Sequence, residues 1–139
     1  MTLYEECLED LGENTISVRE DFQKYIESLV ETFPFDSWGR IDWSKVVEKA
    51  SLNNTKDILR ILNEKNIGEC KILIIWDETT LPVVETSLNS ALNVLDDVLA
   101  VSFDTWLFDV NKLFIIEFHH EGEALIGFAT RTENYSEVL

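Results

Sequence analysis

The sequence predicts an α+β fold in which N-terminal helices pack with a small, largely antiparallel sheet, and three observations carry that expectation. Apolar residues recur at helical spacing through the first half of the chain, residues 71–77 form a β-branched run suited to a central strand, and a meander of short alternating strands follows over 104–129. The chain has 139 residues, 45% of them hydrophobic. That is enough for one buried core and short for two, so residues 1–139 read as a single domain.

Thr2 and Glu5 stand in capping-box relation ahead of Leu3, Cys7, Leu8 and Leu11, and Gly12 ends that first helix. A second box, Ser17 with Glu20, opens "SVREDFQKYIESLVETF", which Pro34 stops. "PFDSWGRIDW" is an aromatic loop, after which Asp42 is expected to cap a helix over "WSKVVEKAS". Asn54 is expected to cap another over "TKDILRILNEKN", closed near Gly68. These two consecutive short helices do not read as a DNA-binding pair, because such readers concentrate positive charge and this chain does not.

"CKILIIW" reads as a strand buried on both faces. Pro82 suits the first turn of a helix over 82–99, whose stripe is Val84, Leu88, Ala91, Leu92, Leu95, Val98 and Leu99. Asp96 and Asp97 would then sit at its C-terminal end, where the helix dipole disfavours negative charge. "DTWLF", "LFIIEFH" and "ALIGFA" are joined by short turns and are expected to pair antiparallel, and the tail "RTENYSEVL" is polar.

Charge narrows the function. Twenty-seven acids against eleven bases leave a net charge of −16, which repels nucleic-acid phosphates and anionic lipid alike, so neither is an expected partner. Residues 72–139 hold 12 acids but only Lys112 and Arg131 as bases. No stretch is apolar for the length of a membrane span, and "MTLYEECLED" is acidic where a secretory signal is basic, so a cytoplasmic protein is expected. Cys7 and Cys70 lack metal or redox spacing and read as reduced structural thiols.

Asp77, Asp104, Glu117, His119, His120 and Glu121 are the residues from which a metal or hydrolytic site would be built. A metal-dependent hydrolase would use Asp77, Asp104, Glu117 and His119. Against it, His119 and His120 point to opposite faces of a strand, and "HEGE" has the composition of a solvated hairpin turn, so the set, Glu117 included, reads instead as solvated hairpin residues. The sequence is therefore expected to bind no metal and no cofactor and to have no catalytic residues. Each of Trp38, Trp43, Trp76 and Trp106 lies within two residues of an aspartate. Trp38, in a Gly-containing loop, is the one expected at the surface, where an aromatic beside an acid can anchor a basic partner. Asp77 and Glu78 are expected at the carboxyl end of the central strand, where open α/β sheets place binding crevices.

The stretch "IIWDETTLPVVETSLNSALNVLDDVLAVSFDTWLFDVNKLFIIEFHHEGEALIGF" resembles the small acidic immunity proteins of bacterial polymorphic-toxin and contact-dependent inhibition systems. In these a strand, a helix, "FDTWLF" and a hairpin with "EFHHEG" follow in that order. The resemblance covers roughly residues 70–128 and implies a non-enzymatic protein that binds and blocks a cognate, basic toxin domain, commonly a nuclease, inside the producing cell. On that reading the residues expected to face the toxin are Asp77, Glu78, Asp96, Asp97, Asp104 and Asp109, with Trp38 as an aromatic anchor. An acidic adaptor for another basic partner is the alternative.

Overall fold

A computed structural model describes residues 1–12, 17–19, 22–37, 39–78 and 80–129. Helix α1 spans Leu3–Leu11, and its capping box is formed: Glu5 N donates to Thr2 Oγ1 at 3.1 Å and Thr2 N to Glu5 Oε1 at 2.8 Å. Gly12 ends it with φ 72°. Strand β1 is Ser17–Arg19 and helix α2 is Phe22–Thr32. The helix expected to open at Ser17 therefore begins five residues later, because Ser17–Arg19 instead pairs with a strand remote in sequence; Glu20 lies outside the described residues. Trp43–Lys45 is a single 3-10 turn, β2 is Glu48–Ser51 and α3 is Thr55–Glu64. Strands β3 (Lys71–Trp76) and β4 (Val83–Ser87) precede α4 (Leu88–Asn93) and α5 (Leu95–Ala100). The chain then runs through β5 (Thr105–Asp109), β6 (Phe114–Phe118) and β7 (Ala124–Phe128); the tail lies outside the described residues.

Among the described residues the strands form one seven-stranded sheet in the order β1-β4-β3-β5-β6-β7-β2, with every neighbouring pair antiparallel. Strand periodicity sends alternate side chains of β3 to opposite faces. Ile72, Ile74 and Trp76 join Leu107, Phe114, Ile116 and Ile126 under α1, α3, α4 and α5. Leu73 and Ile75 join Trp106, Phe108 and Ile115 under α2 and the loop carrying Phe33, Ile41 and Val46. Both faces are covered, which is why β3 reads as an unbroken apolar run. The α+β class, the central strand and the 104–129 meander all stand as expected.

Two expected helices are corrected. Residues 82–99 are not one helix: Val83, Val84 and Thr86 are buried in β4 between β1 and β3, and the helix starts only at Ser87, whose hydroxyl accepts from Ser90 N at 3.0 Å. Val84 and Leu88 fit a helical stripe equally well, but the β-branched cluster before Ser87 gains more by pairing on both sides. The helix then breaks at Val94 (φ −125°, ψ 36°), so Asp96 and Asp97 lie in the first turn of α5 rather than at a C-terminus. Residues 43–51 are also not a helix. Asp42 makes no capping bond, and residues 48–51 instead pair with β7 as an edge strand. Asn54 does cap α3, accepting from Asp57 N at 3.1 Å, but the left-handed residue after that helix is Asn66 (φ 60°) rather than Gly68.

Candidate functional site at one end of the sheet

Strand register assembles the site. Trp76, the last residue of β3, pairs with Thr105, the first of β5, and Thr105 pairs with Phe118, the last of β6. Asp77, Asp104 and the His119–His120 turn are therefore neighbours at one sheet end although they are spread over more than forty residues of sequence. This convergence arises in an antiparallel sheet, so the crevice rule for open parallel sheets does not explain it. Asp77 and Glu78 are exposed. Asp77 Oδ1 accepts from Ser102 Oγ and, at 3.3 Å, from Asp104 N, while Glu78 Oε1 accepts from Thr80 N at 3.2 Å. Both carboxylates are thus held in place while remaining open to solvent.

Asp104 faces the hairpin turn. Its Oδ1 is 2.8 Å from the donating His120 N and 2.9 Å from His120 Nδ1. Burial pushes its carboxyl up, but the His120 hydrogen bonds and the nearby imidazoles outweigh that and hold it below the usual aspartate value. Phe103, 80% exposed, stands over the same end with its ring 5.8 Å from that of His120. Both rings line a cleft of about 620 Å³ together with Glu78, Ser102, Phe118 and His119.

The other expected site residues fall elsewhere. Asp96 and Asp97 lie beside α1, where a hydrogen bond with Asp10, burial and the charges of Asp10, Glu6 and Asp96 raise the Asp97 carboxyl. Asp109 is at the opposite end of β5, roughly 17 Å from Asp104 by strand rise. It is 1% exposed and accepts from Leu113 N at 3.0 Å, so it braces the β5–β6 turn and presents no carboxylate to solvent. Trp38 lies outside the described residues. Phe103 was not singled out from the sequence; its only signal there is an aromatic between two polar residues, Ser102 and Asp104.

Glu117, expected to be a solvated hairpin residue, is 1% exposed. Its Oε1 accepts from Arg40 Nη2 at 3.3 Å and Trp43 Nε1 at 2.9 Å, and its Oε2 accepts from Ile41 N at 3.1 Å and Trp106 Nε1 at 2.9 Å. These bonds tie the aromatic loop to the sheet. They also occupy both oxygens, so Asp77, Asp104, Glu117 and His119 do not form a ligand set.

Trp43 is seated over β7, where a Cβ on Gly127 would lie 2.6 Å from its ring. Trp76 is buried, its indole donating to Val98 O at 2.9 Å. Of the three tryptophans described, each is spent on packing and internal hydrogen bonds.

What this sheet end offers is fixed negative charge beside an exposed aromatic ring, a combination suited to gripping another protein's surface. No helix among the described residues is long and apolar enough to cross a membrane. Comparison with curated proteins gives no match. The family model for the CdiI immunity protein, EcoliA0-like, matches residues 1–127 and so takes in the N-terminal helices as well as the whole site. The chain therefore belongs to the CdiI immunity proteins of contact-dependent growth inhibition.

Proposed function

We propose that this immunity protein neutralises its cognate toxin by stoichiometric binding inside the producing cell, without turnover, and that the toxin domain is basic and acts on nucleic acid. Asp77 and Glu78 are the primary contacts for toxin Lys and Arg, and Phe103 takes the anchoring role that the sequence suggested for Trp38. Asp96 and Asp97 add a second negative region, and Asp104 contributes charge while holding the turn. The observation that carries this reading is Phe103, 80% exposed at the sheet end that also exposes Asp77 and Glu78 on a chain of charge −16. A large apolar ring left in water among carboxylates fits a partner's basic surface better than it fits the isolated fold.

The test is co-expression and affinity measurement with the product of the adjacent upstream gene, for wild type and for Asp77→Lys together with Glu78→Lys. Asp77→Lys gives up the bonds from Ser102 Oγ and Asp104 N, about 1 kcal/mol at an exposed site, which relief of self-repulsion in a chain of charge −16 offsets, whereas two charge reversals against a basic face are expected to weaken binding about a hundredfold or more. Lost protection at an unchanged or slightly raised melting temperature supports the proposal. Full protection by the double variant refutes it, and a large drop in melting temperature makes the two acids structural. Raising ionic strength is expected to slow association more than it speeds dissociation.

A further inference from the structure

The same sheet end holds a second constellation, which shares only Asp104 with the proposed toxin-facing residues. One ligand atom from each of Asp104, His119 and His120 lies within 4.8 Å of the others. Two ligands of a tetrahedral zinc ion, each about 2.0–2.1 Å from the metal, are themselves about 3.4 Å apart. Asp104 Oδ1 and His120 Nδ1 are 2.9 Å apart, a hydrogen-bond distance that has to open by about half an ångström to reach that value, and the His119 ring stands beside them with its centroid 4.2 Å from that of His120. We infer that Asp104, His119 and His120 form a binding site for a divalent transition-metal ion of the Zn²⁺ class, with its open coordination position facing the cleft beside Phe103.

The donor set selects the ion. Two imidazoles and one carboxylate suit Zn²⁺ and its late transition-metal neighbours, whereas Mg²⁺ and Ca²⁺ take oxygen ligands. The site is sheltered without being closed: the side chains of His119, Asp104 and His120 are 7%, 17% and 49% exposed. The cleft supplies an entry path and room for water or another ligand. His119 Nδ1 accepts from Glu121 N at 3.3 Å, which sets the ring's position at the turn.

A bound ion would clamp the 119–123 turn, which is closed by the His119 N to Glu123 O bond at 2.8 Å, onto the start of β5.

The decisive experiment is calorimetric titration of tag-free, EDTA-stripped protein with ZnCl₂, alongside melting curves with Zn²⁺ and with Mg²⁺. One Zn²⁺ per chain with a micromolar or tighter dissociation constant is expected, with a melting temperature that rises with Zn²⁺ by mass action and does not respond to Mg²⁺. Asp104→Asn, His119→Ala and His120→Ala are each expected to weaken binding by about tenfold or more. Cys70→Ser, which removes the more accessible thiol, is expected to leave it within about twofold.

Folding of each variant is verified by circular dichroism in EDTA. If His119→Ala does not fold, the partly exposed His120→Ala and the isosteric Asp104→Asn decide the matter. Absence of stoichiometric Zn²⁺ uptake by wild type overturns the inference, as does undiminished uptake by folded ligand variants. Neither result bears on toxin binding by Asp77 and Glu78, so the two proposals fail separately.

Discussion

Replacing Glu117 by glutamine tests whether one buried carboxylate holds the aromatic loop on the sheet. The substitution keeps size and shape but leaves one oxygen where there were two. If the amide nitrogen takes the place of Oε1, the Trp43 indole and Arg40 lose their acceptor; if it replaces Oε2, the Ile41 amide and the Trp106 indole lose theirs. The first orientation is cheaper, because Arg40 is 28% exposed and retains Glu123 at 3.5 Å. A buried donor left without a partner costs about 1–3 kcal/mol, and bonds to a charged acceptor lie toward the upper end.

The expected loss is therefore about 3 kcal/mol, which for a chain of this length lowers the melting temperature by roughly 10 °C. Urea unfolding followed by far-ultraviolet circular dichroism and by tryptophan fluorescence measures it. Glu117→Leu, which abolishes all four acceptances, is expected to cost more, and Glu123→Gln, which weakens only an exposed pair, less than about 0.5 kcal/mol. A Glu117→Gln protein within about 1 kcal/mol of wild type would show that these bonds add little over solvation and would refute the reasoning.

Gly127→Ala places a methyl 2.6 Å from the Trp43 ring and 3.1 Å from Val46 Cγ1, so a destabilisation of about 1–3 kcal/mol is expected in the same urea assay. Asp109→Asn is expected to raise stability at neutral pH by about 1 kcal/mol, since Oδ1 is buried without a partner and the Leu113 amide can still be accepted. Burial raises the folded-state Asp109 carboxyl despite the Leu113 and Asn111 amides, so the folded chain keeps that proton longer than the unfolded one. Its contribution to stability therefore falls as pH rises from the ordinary aspartate value through the raised one, and melting curves of Asp109→Asn should lack that decline. Burial and neighbouring acids push the Cys7 thiol to about 11 and the Cys70 thiol to about 12; iodoacetamide at neutral pH is expected to leave both largely unlabelled until the protein is unfolded, as mass spectrometry would reveal.

Features written over a few adjacent residues were legible in the sequence: the Thr2–Glu5 box, the Asn54 cap, the β-branched run of β3 and the three strands of the meander. Each draws on bonds or periodicity inside one window of chain. The layout of the stretch from β3 to β7 resembled the immunity family without any coordinates, and the charge of −16 suited that resemblance. What was misread depended on partners distant along the chain. Val83–Ser87 is a strand because β1 and β3 flank it, and Glu48–Ser51 is one because β7 offers an edge.

Glu117 looked like a surface acid because three of its four donors lie 74–77 residues away. Asp96 and Asp97 changed their place in the helix dipole when α4 and α5 parted at Val94. The candidate site follows the same logic. The sequence marked Asp77, Asp104 and the two histidines one by one, but strand register brings them to one sheet end and sends Asp109 to the other. Local hydrogen bonds and side-chain periodicity can be read along a chain, whereas pairing between remote strands is chosen by the free energy of burying both faces of the whole sheet at once.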